Sequence, residues 1–223
     1  RYDLQPEGAL RYARLYRFDL ETPQHVRPLL PMNADAGYTL GPYSPDGRRL
    51  VVFRLQGLTF RLGVVDLATS AVRWTDLSPE TGAWGRSVQW ISNSELLVLG
   101  MSEGELPPRL VDLIAVQSLL PDRWTQAARG EPSFLTVGEG SALREPARRI
   151  LWRVDARDGK ATFLSEGPFL DFEAAPDGGH VALILEGRLL PPPDVETATE
   201  YRRARSLRLI DLESGAGVDP AAA

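Results

Sequence analysis

Short apolar runs that alternate with turn-forming segments dominate the chain and predict β-strands. The clearest runs lie at residues 49–54, 96–99 and 180–185 and are rich in valine and leucine. Short continuous apolar runs are typical of strands that are buried on both faces of a sheet. Helical periodicity is almost absent, and its one candidate is the segment 195–204. We therefore predict an all-β chain.

A strand that ends in aspartate recurs along the chain. The clear copies end at Asp19, Asp66, Asp155 and Asp211. Residues 109–113, with Asp112, form a weaker fifth copy. Successive aspartates are 43 to 56 residues apart, close to the roughly 40–50 residues of one four-stranded propeller blade.

A second marker, Pro-Asp-Gly, is in phase with the first. It occurs as Ser-Pro-Asp-Gly at residues 44–47 and as Ala-Pro-Asp-Gly at residues 175–178. Proline presets the second position of a type I turn, aspartate tolerates the third, and glycine suits the fourth. A strand is predicted directly after both turns, and residues 90–93 replace the turn ahead of the run 96–99.

The two markers together predict a β-propeller of four-stranded antiparallel blades. About four to five blades fit residues 1–223, as part of a larger propeller. The longer interval before the last aspartate predicts an insertion at 187–205, between strands of the last blade.

Composition removes several classes of function. The chain of 223 residues has no cysteine, which excludes a disulfide scaffold, a zinc–thiolate site and a thiol nucleophile. Its 25 Lys+Arg residues are dispersed among 30 acids, so we expect no nucleic-acid partner. No apolar stretch reaches the about 18 residues that span a bilayer, and no membrane contact is expected.

The excess of arginine over lysine and the first residue of the chain suggest a source organism and a compartment. Lys160 is the one lysine, and such a preference for arginine is typical of high-GC bacterial coding. The chain begins at Arg1 without a leader, which fits either a removed signal peptide or a cut chain. We expect a bacterial protein, in the periplasm rather than the cytoplasm.

The chain carries no recognisable catalytic motif. The Gly-x-Ser-x-Gly turn of an α/β-hydrolase is absent, and the nearest serines, Ser87 and Ser141, lack the second glycine. The two histidines, His25 and His180, are predicted to lie in strands or turns. Without His-Glu-x-x-His or a phosphate-binding glycine loop, we predict no catalytic residue, no metal site and no cofactor.

The repeat resembles that of TolB and of the prolyl oligopeptidase and dipeptidyl peptidase IV family. The resemblance rests on the Ser-Pro-Asp-Gly turn before an apolar strand and on the strand that ends in Asp-Leu, and it covers residues 14–215. It implies that the catalytic serine, aspartate and histidine of such a peptidase lie on an α/β-hydrolase domain that this chain does not contain.

Two functions follow from this resemblance. In the first, the chain is the non-catalytic propeller of a serine peptidase, and its partners are the α/β-hydrolase domain and a peptide substrate. In the second, it is a TolB-like scaffold that binds proteins without enzymatic activity. A Gly-x-Ser-x-Gly motif downstream of residue 223 would distinguish the first from the second.

Six residues are candidates for facing the substrate. The aminopeptidase branch of the family uses paired glutamates on a propeller helix, and the insertion offers two glutamates four residues apart. The candidates are Glu196, Glu200, Tyr201 and Arg202 in the insertion, and Trp84 and Trp124 in turn-rich segments. The alternatives are a solvated segment for the insertion and packing between blades for the tryptophans.

Overall fold

Within the residues that the structure describes, the strands form three four-stranded antiparallel sheets and one two-stranded sheet. The computed structural model describes residues 13–31, 33–81, 86–101, 105–131, 146–190 and 203–220. The two-stranded sheet consists of β1 (Tyr16–Arg17) and β2 (Arg27–Pro28). Sheet I consists of β3 (Ala36–Tyr43), β4 (Arg49–Gln56), β5 (Thr59–Asp66) and β6 (Val72–Trp74).

Sheets II and III repeat the plan of sheet I. Sheet II consists of β7 (Val88–Trp90), β8 (Glu95–Gly100), β9 (Arg149–Asp155) and β10 (Ala161–Gly167). Sheet III consists of β11 (Phe169–Ala174), β12 (His180–Leu189), β13 (Arg203–Asp211) and β14 (Gly217–Val218). In each sheet, strands pair in chain order, and the first strands β3, β7 and β11 are neighbours. The chain is therefore all-β and built from propeller-type blades.

The predicted turns lie between the first and second strands of their sheets. The N–H of Gly47 donates to the Ser44 carbonyl at 2.8 Å, and Gly178 donates to Ala175 at 2.9 Å. Both glycines have positive φ, 68° and 71°, a conformation that costs glycine little. The second strands then begin at Arg49 and His180, as predicted.

The recurring aspartate starts the turn between the third and fourth strands. Asp66 Oδ1 accepts the N–H groups of Ala68 and Thr69, both at 3.0 Å. Asp211 Oδ1 accepts the N–H of Ser214 at 2.7 Å. A short carboxylate is suited to this role because it reaches its own backbone two or three residues on.

The two markers meet in space within every four-stranded sheet. The residue after each aspartate donates its N–H to the carbonyl of the residue just before the second strand. The pairs are Leu67–Arg48 at 3.0 Å, Ala156–Ser94 at 2.8 Å and Leu212–Gly179 at 2.8 Å. The repeat is therefore one hydrogen-bonded unit, which explains why the markers stay in phase.

The hydrophobic core lies between the sheets, and the central strands are buried on both faces. In β8, Leu96 and Val98 pack against sheet I, whereas Leu97 and Leu99 pack against sheet III. A third cluster covers the outer face of sheet I and includes Leu29, next to the two-stranded sheet. Each Å² of apolar surface that is buried between stacked sheets stabilises the fold by about 25 cal/mol.

Three tryptophans pack between or against sheets. Trp90 and Trp152 contact the core between sheets I and II, and Trp90 Nε1 donates to the Pro42 carbonyl at 3.2 Å. Trp74 packs in the outer cluster of sheet I, with the Arg54 guanidinium 4.4 Å from its ring centroid. Trp90 and Trp152 therefore pack between two sheets, whereas Trp74 packs on the outer face of sheet I.

The prediction of a fifth strand at 109–113 is wrong, because this segment lies in helix α1 (Pro108–Ala128) between β8 and β9. Pro108 occupies the first helical turn, where its missing N–H costs nothing. Gly130, with φ 72°, ends the helix, and the N–H of Glu131 reaches the Gln126 carbonyl at 3.1 Å. The expectation that helices are almost absent outside 195–204 is wrong for the same reason.

The proposed insertion in the last blade is only partly described. Residues 187–189 belong to β12 and 203–205 to β13, and Leu189 pairs with Arg203. Residues 203–204 are therefore strand rather than helix, and 195–202 lie outside the described residues. Trp124, which was expected in a turn-rich segment, lies within α1.

Candidate functional site

The connections between strands lie at two opposite edges of the sheets. The turn face carries the short turns 44–48, 66–71, 91–94, 155–160, 175–179 and 211–216. The other connections, namely 57–58, 75–87, 101–148, Pro168 and 190–202, begin and end at strand ends on the opposite edge, which we call the loop face. This division follows from the antiparallel order of each sheet, and it places α1 on the loop face.

The turn face holds most of the described carboxylates whose pKa is lowered. The backbone hydrogen bond from Thr69 lowers the pKa of Asp66, and that from Ser214 lowers the pKa of Asp211. At Asp155 the hydrogen bond from the Arg157 side chain lowers the pKa to about 2. The hydrogen bonds that cause these pKa shifts stabilise turns, so the shifts do not mark a catalytic centre.

The histidines occupy the positions predicted for them. His180 begins β12, and its Nε2 lies 3.5 Å from Asp211 Oδ2 on the turn face. His25 lies in the connection between β1 and β2, where its N–H donates to the Thr22 carbonyl at 3.0 Å. Each histidine thus sits in a strand or turn.

A buried ion pair anchors the loop-face connection 75–87. Glu80 is only 4% exposed and pairs with Arg149 at the start of β9. The N–H of Glu80 donates to the Leu99 carbonyl at 2.8 Å, and Arg149 Nη1 donates to the Phe169 carbonyl at 2.8 Å. The pair thus ties the connection to both sheet II and sheet III, and removing one partner would leave a buried charge.

A second polar cluster joins the first strands of sheets II and III. Arg86 Nη2 lies 2.8 Å from Asp171 Oδ2, and its Nη1 pairs with Glu173. Gln89 donates to the Phe172 carbonyl at 2.8 Å. The guanidinium is half-exposed but already shared by two carboxylates, so this cluster orders the sheets and offers no surplus positive charge.

Helix α1 carries the most prominent exposed aromatic group on the loop face. Leu110 is buried in the core between sheets I and II, and Ile114 is partly buried against it. Further along the helix, Leu120 is exposed and Trp124 is 72% exposed. The first turns of α1 are therefore anchored, while Leu120 and Trp124 in the later turns face solvent. Exposed aromatic side chains of this kind are enriched at protein interfaces.

Three connections that contain candidate residues begin and end at described strand ends on the loop face. Trp124 is on α1. The remaining candidates, Trp84, Glu196, Glu200, Tyr201 and Arg202, lie outside the described residues, and their roles stay predictions. Their connections leave from Thr81 and Leu189 and return at Arg86 and Arg203, all flanking loop-face strand ends.

Sequence inspection missed the polar residues of the loop face. Arg149 and Glu80 are 69 residues apart in the chain, and Arg86 is 85 residues from Asp171. Each is an ordinary charged residue in its local sequence. Only the stacking of the sheets brings the partners together.

In the described part of the chain, no group of three or more histidine, aspartate or glutamate side chains has the arrangement needed to hold a metal ion. In the same ranges, no helix has the length and apolar character needed to cross a bilayer.

Comparison with solved structures finds propellers. The β-propeller domain of the trilobed protease from Pyrococcus furiosus, which has an open velcro topology, is 13% identical with a TM-score of 0.46, over 88% of this chain and 44% of that chain. TolB from Acinetobacter baumannii is 10% identical with a TM-score of 0.41, over 96% of this chain and 39% of that chain. The acylaminoacyl peptidase of Pyrococcus horikoshii is 14% identical with a TM-score of 0.41, over 83% of this chain and 24% of that chain.

The chain thus spans less than half the length of each of these proteins. No family model and no curated protein matches the sequence. The similar solved structures include the propellers of peptidases and of TolB, which are the two groups that the repeat resembles.

Proposed function

We propose that this chain is the non-catalytic propeller part of a serine peptidase that resembles prolyl oligopeptidases, and that it restricts access to an α/β-hydrolase domain. The observation that carries the proposal is the separation of the two faces. Short hydrogen-bonded turns close one face, whereas the long connections leave from and return to strand ends at the other, where Trp124 is exposed. Binding and catalytic residues tend to lie on loops that a rigid scaffold positions.

The chain acts by steric selection. Cleavage takes place on the hydrolase domain, through its serine, histidine and acid. The loop face covers that site and admits short or unfolded peptides, while folded proteins and much bulk water stay outside. Within this proposal, Glu196, Glu200, Tyr201 and Arg202 face the peptide.

A cover of this kind must hold its shape, and the described contacts support that requirement. Two inter-sheet cores join sheets I, II and III. The Glu80–Arg149 pair and Gln89 add polar links between sheets at the loop face and along the first strands. Trp124 is the side chain that we expect to contact the hydrolase domain, because solvent-exposed aromatic residues often become buried anchors in interfaces.

The first test uses the full protein as its source organism produces it. A serine-directed fluorophosphonate should label that protein once per chain, outside residues 1–223. The unlabelled protein should cleave short peptides and leave folded proteins intact. Absence of labelling, or equal cleavage of both substrate classes, would contradict the proposal.

Two variants then test the loop face. Trp124→Ala should weaken the preference for short peptides over folded proteins, because truncating an interface anchor costs about 2 kcal/mol or more. Leu20→Ala is the matched control, since Leu20 is also an exposed apolar residue but lies between β1 and β2, where Arg17 donates to the carbonyl of Leu67 in the turn 66–71. An equal effect of the two variants on this preference would show that the loop face does not select substrates.

The second candidate function is a TolB-like scaffold without enzymatic activity. The apolar surface of Leu120 and Trp124 favours it, because this surface suits protein docking and requires no chemistry. A full protein that resists the fluorophosphonate but retains a protein partner in a Trp124-dependent way would support this function and reject the peptidase.

A further inference from the structure

A cavity of about 210 Å³ lies on the turn face, between sheets I and II. Its lining comes from sheet I and from the turn 155–160 of sheet II, and it includes the side chains of Arg49, Arg73 and Arg157. We call this cavity the arginine cleft. It is smaller than the sites that take drug-sized ligands, so it suits a small ion or one charged group of a larger molecule.

The strand register brings two of these arginines to the same face of sheet I. Arg49 lies opposite Asp66 of β5, and Arg73 lies opposite Val64 of β5. Residues two apart in a strand point to the same face, so both arginines flank β5 on the face that carries Val64. That face packs against sheet II. The backbones of β4 and β6 are two strand spacings apart, about 10 Å, which leaves room for a ligand between the two guanidinium groups.

The repeated turn does not require arginine at either position. Arg49 occupies the place opposite the marker aspartate, and Arg73 lies seven residues after that aspartate. The corresponding residues are Glu95 and Thr162 in sheet II, and His180 and Val218 in sheet III. All three sheets form the same turns without sharing the arginines. The arginine pair of sheet I therefore has a role other than holding the turn.

The guanidinium groups of sheet I keep free donors for a ligand. A guanidinium has five N–H donors, and Arg49 uses one of them, because its Nη1 donates to the Asn93 carbonyl at 2.8 Å. The side chain of Arg73 is exposed and has no hydrogen bond or ion pair with any residue that the structure describes. Arg157 differs, since its Nη2 lies 2.5 Å from Asp155 Oδ2. Arg157 thus forms a fixed wall of the cleft.

The neighbouring carboxylates do not occupy the cleft. Asp66 lines it, but Asp66 Oδ1 accepts the N–H groups of Ala68 and Thr69 in its own turn. Among the described residues, no ion pair joins Asp66 to an arginine. Asp155 is held by Arg157.

The charge balance around the cleft favours an anion. The three guanidinium groups stand against two carboxylates, those of Asp66 and Asp155, which leaves one positive charge. On the turn 155–160, the charges of Asp158 and Lys160 cancel. Val64, which is buried, gives the cleft an apolar floor. Charge-assisted hydrogen bonds are stronger beside such a surface than in open water.

We propose that the arginine cleft binds a phosphate group between Arg49 and Arg73. The fork of an arginine matches both carboxylate and phosphate. A carboxylate has two oxygens, which one fork already occupies, whereas a tetrahedral phosphate offers oxygens to two forks that approach from different strands. The ligand is free phosphate or the phosphate group of a larger molecule that approaches the turn face. The inference goes beyond the proposed function, because it concerns the face opposite to the one that selects peptides.

The test titrates inorganic phosphate into the full protein at constant ionic strength, followed by isothermal titration calorimetry. We expect one saturable site per chain that chloride does not fill. A second titration with O-phosphoserine distinguishes the two sources of the phosphate group. Binding of the ester shows that the cleft accepts a phosphate carried by a larger molecule, and binding of inorganic phosphate alone shows that the ligand is the free ion.

Two substitutions place the bound phosphate in the cleft. Arg73→Gln removes one fork and its charge, and it should weaken phosphate binding at least about tenfold, because a hydrogen bond to a charged group contributes that much. Arg73→Lys keeps the charge without the fork and should have an intermediate affinity. Arg205→Gln is the matched control, since Arg205 is also an exposed arginine on a strand but lies near the loop-face end of β13.

Urea unfolding gives a second measurement that does not use heat of binding. A ligand that binds only the folded state stabilises it. Phosphate should therefore raise the free energy of unfolding of the natural protein and of Arg205→Gln, and it should have little effect on Arg73→Gln.

Three outcomes would overturn the inference. They are the absence of saturable phosphate binding, an equal effect of Arg73→Gln and Arg205→Gln, and binding of acetate as tight as that of phosphate. Neither measurement depends on peptidase activity. A protein that resists the fluorophosphonate but binds phosphate through Arg73 would keep the arginine cleft and reject the peptidase.

Discussion

Two glycines at the same position of the repeated turn provide a sharp test of how the sheets are joined. Gly47 and Gly178 both end a Pro-Asp-Gly turn, with φ of 68° and 71°. A Cβ on Gly47 would meet no atom within 4 Å. A Cβ on Gly178 would lie 2.8 Å from the carbonyl oxygen of Ile91, in the corresponding turn of sheet II.

The two alanine variants share every cost except that contact. A left-handed conformation costs an alanine about 1–2 kcal/mol, and the loss of unfolded-state freedom returns about 0.4–1 kcal/mol. Both effects should be nearly equal at the two sites. Gly178→Ala must also displace a backbone carbonyl, and forcing such extra volume costs about 1–3 kcal/mol. That last figure is the expected difference between the free energies of unfolding.

Urea unfolding of the two variants, followed by tryptophan fluorescence, measures this difference directly. Gly178→Ala should unfold at the lower urea concentration, with the same dependence of the free energy on urea for both. Equal unfolding free energies, within about 0.5 kcal/mol, would show that the turns of sheets II and III do not touch. The description of the inter-sheet packing at the turn face would then be wrong.

Three further changes test other parts of the fold. The Arg157 hydrogen bond lowers the pKa of Asp155 from 3.8 to about 2, so this pair stabilises the folded protein above pH 4, and its contribution is lost as the pH falls from about 4 to 2. In urea unfolding at a series of pH values, Arg157→Ala should therefore lose less stability over that range than the natural protein. Leu110→Ala should cost about 2–5 kcal/mol and speed hydrogen exchange throughout α1, whereas unchanged exchange would show that the helix is anchored elsewhere. Glu80→Ala should lower the free energy of unfolding by about 3–5 kcal/mol because it leaves Arg149 buried without its partner, and a loss below about 1 kcal/mol would place the pair in solvent.

The sheets could be predicted from the sequence because their markers act locally. Proline and glycine set the dihedrals of the first turn, and Asp66 or Asp211 bonds to its own backbone two or three residues on. The apolar runs that follow are long enough to be strands and are too short for most helices. Each feature lies within a few residues, so one sequence is sufficient to recognise it.

Helix α1 was not predicted because its first residues resemble the strand marker. Residues 109–113 combine apolar side chains with Asp112, as the true copies do. The better evidence lay at the ends of the segment, in Pro108 at the start and Gly130 just past the end. The loop-face ion pairs had no local pattern, since their partners come from different sheets.

The repeat and the proposed substrate-facing site belong to opposite faces for a physical reason. The turn face must return the chain within a few residues, which restricts the amino acids that fit and makes the turns resemble one another. The loop face has no such restriction, and its connections range from the two residues 57–58 to the long segment 101–148. Repetition along this sequence therefore marks what holds the sheets together. The residues that distinguish this protein from other propellers are to be sought where the repetition stops, on α1 and in the connections that flank Thr81 and Leu189.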